Sequence, residues 1–199
     1  MHERQMIRGA AGAVASTGGG ERALAGGIGV LAFAVMTALG AHVRIPLPFT
    51  PVPITLQTLF VVLAGAALGP VLGPVSQGLY VLAGGIGLPI FAGGVGGWSS
   101  LLQGATTGYL VGFVAAASLT GWMIRRRESR LTWILLSMGA GQVVIYACGI
   151  AWLALVLGMS PGRAVALGVL PFLVGDVVKI CIAAGLFRGA ERRTRAIFP

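Results

Sequence analysis

One acidic residue and one lysine stand inside the apolar segment PFLVGDVVK, residues 171–179: Asp176 and Lys179. Lys179 is the only lysine in the chain. A spacing of three residues places both on one helix face. A charge at the centre of a bilayer costs about 2.5–3.5 kcal/mol on an insertion scale, so a chain that keeps both must compensate them. One compensation is a mutual ion pair at a helix–helix contact. Another is a polar binding site facing a cavity, and the two can coexist. The ammonium attracts a carboxylate, and the aspartate accepts hydrogen bonds from N–H donors. A ligand satisfying both carries an acid at one end, a urea-like or amide-like group at the other, and an apolar body between.

Other side chains could complete such a site. The aromatic candidates are Tyr80, Phe91, Trp98, Tyr109, Tyr146 and Trp152, each equally suited to packing or to anchoring at a membrane interface. The polar candidates within apolar runs are Thr55, Gln57, Gln77, Gln103 and Gln142, which could also bond to neighbouring helices. Ala34 and Ala38, with Thr37 and Ala41 alongside, form a small-xxx-small stripe. Such a stripe either packs helices of this chain together or docks a partner membrane subunit. The motifs of catalysis are missing from the sequence. There is no GxxxxGK[ST] phosphate loop, nucleophile elbow, HExxH or CxxC; His2 and His42 are isolated, and Cys148 and Cys181 read as small buried hydrophobes. The chain is therefore expected not to be an enzyme and to need no cofactor or metal. If it serves ATP-driven transport, the motor is another polypeptide.

The elements that must position these residues follow from composition. The chain has 199 residues, 56% of them hydrophobic and only 10% charged. A soluble domain carries about 25% charged residues, so this composition cannot wet a globule and points to a polytopic membrane protein. At about 20 residues per spanning helix, the length allows roughly six spans. The first runs over about 23–41. IPLPFTPVP, residues 45–53, has four prolines and is an extended loop. A second span starts near Ile54 and stops at Gly69–Pro70, and a shorter third covers about 71–84. GGIGLPIFAGGVGGWSS is too rich in glycine to stay helical. The fourth span covers about 100–124, and RRRESR at 125–130 is a charged break. The fifth covers about 131–157, GMSPGR at 158–163 is a turn, and the sixth covers about 164–187. The expected class is an all-α integral membrane protein of about six transmembrane helices. It divides into an N-terminal tail (1–21, loosely ordered to about Gly20), a six-helix membrane domain (22–187) and a basic C-terminal tail (188–199).

The net charge is +9, with 14 Lys+Arg against 5 Asp+Glu. The arginines sit at the ends of apolar runs rather than among aromatics on a polar surface, which argues for membrane topology and against nucleic acid. With both termini cytoplasmic, Arg4, Arg8, Arg22, Arg125, Arg126, Arg127, Arg130, Arg188, Arg192, Arg193 and Arg195 lie inside, and only Arg44 and Arg163 outside. Five or seven spans would separate the tails and spoil this split.

IPLPFTPVPITLQTL (45–59), GPVLGPVSQGLYVLAGGIGLPIFAGG (69–94), GYLVGF (108–113) and PFLVGDVVK (171–179) resemble the BioY family, the biotin-specific S components of energy-coupling-factor (ECF) transporters. The resemblance covers about residues 22–187. It departs at GATTGYL (104–110), where the family usually reads GPTGGYL. The resemblance implies a six-helix protein of the inner (cytoplasmic) membrane that captures biotin from outside. It also implies assembly with a transmembrane coupling subunit and ATPase subunits. It maps polar ligand contacts onto Asp176 and Lys179, the lid onto residues 45–53, and the face for the coupling subunit onto Ala34 and Ala38. On this reading Lys179 attracts the valerate carboxylate and Asp176 accepts a ureido N–H, although the ends could be reversed. Tyr80, Tyr109, Tyr146 and Trp152 pack around the rings, with Thr55, Gln57 and Phe91 as further contacts. The alternatives are an S component for another small vitamin and a stand-alone carrier coupled to protons through Asp176.

Overall fold

The computed structural model describes residues 2–127 and 130–198; Glu128 and Ser129 of the charged break, and the side chains before Gly20, including Arg4 and Arg8, lie outside the described residues. In chain order the elements are α1 (His2–His42), β1 (Arg44–Ile45), β2 (Ile54–Thr55), α2 (Gln57–Gly85), α3 (Trp98–Gln103), α4 (Thr107–Arg126), α5 (Leu131–Leu155), α6 (Pro161–Gly168) and α7 (Leu173–Ile197). Among the described residues, five helical stretches are long and apolar enough to cross a bilayer: Gly20–His42, Gln57–Gly85, Thr107–Arg126, Leu131–Leu155 and Pro161–Arg195.

The second stretch folds back on itself. Gly69 has φ 84° and ψ −172°, a non-helical conformation within α2. This backbone region is almost exclusive to glycine, and Pro70 beside it offers no N–H to continue the ladder. The chain reverses there. A Cβ built on Gly73 would lie 2.9 Å from the Gly65 Cα, so the arms 57–68 and 70–85 pack side by side. Gly121 of α4 closes on the same bend, where a Cβ would stand 2.7 Å from the Pro70 nitrogen. The second and third expected spans are therefore the arms of one tight helical hairpin, and the bundle has six columns.

The two ends of the bundle differ. At one end lie the α2 bend, the Arg125 side chain against Gly69, and Arg195 of α7 donating to the Ile124 carbonyl at 3.3 Å. The 20 residues of α4 lead from there to the other end, a rise of about 30 Å. The proline-rich loop, the glycine-rich loop, α3 and α6 gather at that second end. β1 and β2 pair antiparallel with Arg44 opposite Thr55, which ties the neck of the proline-rich loop. Thr50 within it donates to the Leu167 carbonyl of α6 at 2.7 Å, so the loop is docked across the end of the bundle.

Four expectations change. The fourth span begins at Thr107 rather than near residue 100: α3 ends at Gly104, and the Thr107 hydroxyl donates to the Leu101 carbonyl at 2.5 Å and lies 2.9 Å from that of Gly104. The sixth span is broken between α6 and α7, where Pro171 cannot supply an N–H. α7 continues to Ile197, beyond the expected start of the C-terminal tail, and Arg195 pairs with Glu191 at 2.8 Å on it. Likewise α1 is helical through the stretch read as a loose tail, despite its glycines at 9, 12 and 18–20, which are poor helix formers.

The small-residue stripe of α1 requires a correction. Ala34 belongs to the apolar core, Ala38 is half-buried against it, and Thr37 and Ala41 are fully buried. Thr37 donates to Gln77 of α2 at 3.2 Å. The stripe therefore packs this chain's own helices and is not a free face for a partner. The outward face of α1 carries Leu24, Ile28, Leu31, Val35 and Leu39 instead. Small residues let backbones approach closely, and here the α2 hairpin takes that approach.

Candidate binding site

Beneath the docked loop lies a small cavity of about 50 Å³. The loop roofs it with Val52 and Pro53. Thr55, Gln57 and Thr58 enter from β2 and the start of α2, Tyr109 and Phe113 from α4, Gln142, Ile145 and Tyr146 from α5, and Phe172, Asp176 and Lys179 from the start of α7. The break between α6 and α7 makes this possible. It starts a new helix at Leu173 and sets Asp176 in the first turn, the end of a helix that favours negative charge. The carbonyls released at the break are satisfied by the chain itself: Tyr109 donates to Gly168 at 2.7 Å, and Thr50 to Leu167.

Asp176 and Lys179 are both buried, at 4% and 7% exposure, and form an ion pair of 2.6 Å. One carboxylate oxygen of Asp176 also accepts from the Thr58 hydroxyl at 3.1 Å. The other accepts from the Gln142 side-chain amide at 2.8 Å and from the Tyr146 hydroxyl. A carboxylate offers about four acceptor positions, so protein donors saturate Asp176. Lys179 also donates to Thr58 at 3.3 Å, which engages two of its three protons. The charges are thus compensated by one another and by three neutral side chains, and they also line the cavity. Both readings of the pair hold together.

The opposite wall is apolar and aromatic, formed by Tyr109, Leu110, Phe113, Ile145 and Phe172. Gln57 donates to the Tyr80 hydroxyl at 2.7 Å, Tyr80 donates to the Ile90 carbonyl at 3.1 Å, and the Thr55 hydroxyl donates to Gln57 at 3.0 Å. This relay ties the start of α2 to the glycine-rich loop. The site therefore has a polar pole at α7, a greasy flank along α4 and α5, and a polar hinge at the loop neck.

Of the residues singled out in the sequence, Asp176, Lys179, Tyr109, Tyr146, Thr55 and Gln57 line the cavity. Tyr80 and Trp152 do not line it, which corrects the expectation that they pack around a ligand's rings. Tyr80 is fully buried behind Gln57, with Phe91 packed edge-on at 5.7 Å. Trp152 donates its indole N–H to the Gly104 carbonyl at 2.9 Å and pins the turn before α4. Phe91 lines an outer recess above the cavity rather than the cavity itself. Thr58 was missed, because a threonine next to a glutamine carries no signal of its own. Gln142 was one polar candidate among several. Its spacing of four from Tyr146 sets both on one face of α5, and that signal was present in the sequence.

The same architecture is found in known proteins. A solved structure, described as the S-component for biotin from an ECF-type ABC transporter, superposes with a TM-score of 0.76 at 25% identity, covering 82% of this chain and 88% of that one. The biotin transporter BioY of Thermotoga maritima is 39% identical over 152 residues, 76% of this chain and 87% of the relative. The probable biotin transporter BioY of Pyrococcus horikoshii is 41% identical over 154 residues, 77% of this chain and 88% of the relative. The BioY family model matches residues 21–196, from the first apolar helix to the end of the last, taking in every element that lines the cavity, and on that match the chain belongs to the BioY family.

Proposed function

We propose that this chain is a membrane subunit that captures biotin from outside and mediates its uptake, with the work supplied by an ECF coupling subunit and ATPase subunits. The observation that carries the reading is the saturated Asp176 cluster at one pole of a cavity whose remaining wall is aromatic and aliphatic. Biotin matches that polarity, with a ureido ring, an apolar sulfur ring and an aliphatic acid chain. Because Asp176 already accepts four bonds, a ureido N–H reaches it by replacing one donor. Tyr146, at the rim of the cluster, is the donor that gives way. Lys179 keeps one proton for the ureido oxygen. The protein breaks no bond. Both termini face the cytoplasm across the inner membrane, because the arginine-rich end of the bundle is the end where both termini lie. The docked proline-rich loop then faces outward and serves as the lid.

The test is equilibrium binding of labelled biotin to the purified chain, with other small vitamins as competitors. Saturable binding that only biotin analogues displace supports the reading. Absence of binding by folded protein rejects it, and displacement by another vitamin assigns the site to that vitamin.

A further inference from the structure

The ammonium of Lys179 is committed to Asp176 and Thr58, so the acid end of a ligand anchored at that pole needs another cation. Above the cavity lies an open recess of about 330 Å³ that shares Pro53, Ala92 and Thr106 with it. Apart from Lys179, Arg44 is the one cation lining either space among the described residues. Its position is set by the two-residue ladder: it stands directly opposite Thr55, whose side chain lines the cavity. Opposed residues in an antiparallel pair share a sheet face, so Arg44 projects to the side on which Thr55 meets the cavity. Its guanidinium lies against the glycine turn of residues 91–95. A Cβ on Gly93 (φ +101°) would come 2.9 Å from a terminal guanidinium nitrogen.

Arg44 has no counter-ion there. Its side chain makes no hydrogen bond or ion pair with any described residue, and the stretch 43–106 contains no Asp or Glu. Lys179, by contrast, is the cation whose charge is already balanced. We infer that Arg44 is the residue that recognises the carboxylate of the ligand, from the recess, while the Asp176 cluster holds the opposite end. This rests on the biotin reading and assigns the acid end, which the sequence left open between Lys179 and Asp176, to the mouth. The planar fork of an arginine binds a carboxylate through two parallel N–H bonds, and an aliphatic acid chain threading past Pro53, Ala92 and Thr106 would present one. The site then selects for a free acid as well as for a ureido ring.

The experiment compares biotin with biotinamide, which keeps the rings and chain but has no charge. Each is titrated into the unaltered protein and into Arg44→Gln, Arg44→Lys, Lys179→Ala and Arg163→Gln. The unaltered protein should prefer the acid by about tenfold or more. Arg44→Gln should erase that preference by weakening acid binding while leaving the amide unchanged, which also shows that the site is folded. Arg44→Lys should restore part of the preference, and Arg163→Gln should keep all of it. If Arg44→Gln still prefers the acid to the unaltered extent, the assignment is wrong. It is equally wrong if Lys179→Ala alone removes the preference, which would place the carboxylate at Lys179. If neither compound binds the unaltered protein, the biotin reading itself fails and takes this assignment with it.

Discussion

Gln57 donates to the hydroxyl of Tyr80 at 2.7 Å although the two stand 23 residues apart on what is nominally one helix. A straight helix would separate them by more than 30 Å. The bond exists because the helix folds back at Gly69, and it closes the open end of the hairpin beside the cavity. The bend and the binding site are two ends of the same device.

Gly69→Ala should therefore destabilise the protein. Its φ of 84° with ψ of −172° lies where residues with a Cβ are strained by about 1–3 kcal/mol. The added carbon would also press on the Arg125 guanidinium, 3.2 Å from the Cβ position. Thermal unfolding in detergent should report a lower midpoint. An unchanged midpoint would mean that the reversal does not depend on the glycine.

Asp176 and Lys179 should separate stability from binding. Removing one partner of a buried ion pair costs about 3–5 kcal/mol, because the other charge is left buried, whereas replacing both by apolar residues is often close to neutral. Asp176→Asn should lower the unfolding midpoint and abolish biotin binding. The double replacement Asp176→Leu with Lys179→Met should recover most of the stability and none of the binding. Recovery of both would make the pair purely structural.

Tyr146 and Trp152 lie six positions apart on α5, and their substitutions should behave differently. Tyr146→Phe removes one of the two donors to the outer Asp176 oxygen and keeps the ring. Because a ureido N–H replaces that hydroxyl, biotin affinity should change less than threefold, while Gln142→Leu, which removes the retained donor, should cost tenfold or more. A loss for Tyr146→Phe as large as that for Gln142→Leu would show that both donors stay in place. Trp152→Phe should lower stability by about 1 kcal/mol through its lost bond to Gly104, with affinity unchanged in isothermal titration.

How much of this was legible in the sequence depends on the kind of signal. Gly69–Pro70 marks the bend, because backbone conformation is written in residue type. The Asp176–Lys179 pair is legible because charge in an apolar run has few explanations. The break at Pro171 was lost inside a hydropathy profile that stays high on both sides. Ala34 and Ala38 were misassigned for a related reason: lipid is as apolar as a core, so hydrophobicity does not separate the inward face of α1 from the outward one. The convergence of Thr58, Gln142 and Tyr146 on one carboxylate joins three helices, and no local pattern encodes it.

The docked loop makes a kinetic prediction. Thr50 holds it to α6 through the Leu167 carbonyl at 2.7 Å, and its oxygen also receives the Val52 N–H at 3.3 Å, setting the backbone that roofs the cavity. Thr50→Val keeps the shape of the side chain and removes both bonds. Neither bond touches the cavity wall formed by α4, α5 and α7, so the site beneath should stay intact while its roof loosens. Of the two, only the bond to Leu167 ties the loop to the bundle; a neutral hydrogen bond contributes about 1 kcal/mol, and a lid weakened by that amount opens about five times more often. Washout of labelled biotin should accelerate by roughly that factor, with little change in the unfolding midpoint. If the washout rate of Thr50→Val equals that of the unaltered protein, the proline-rich loop is not the barrier to release, and the exit lies elsewhere in the bundle.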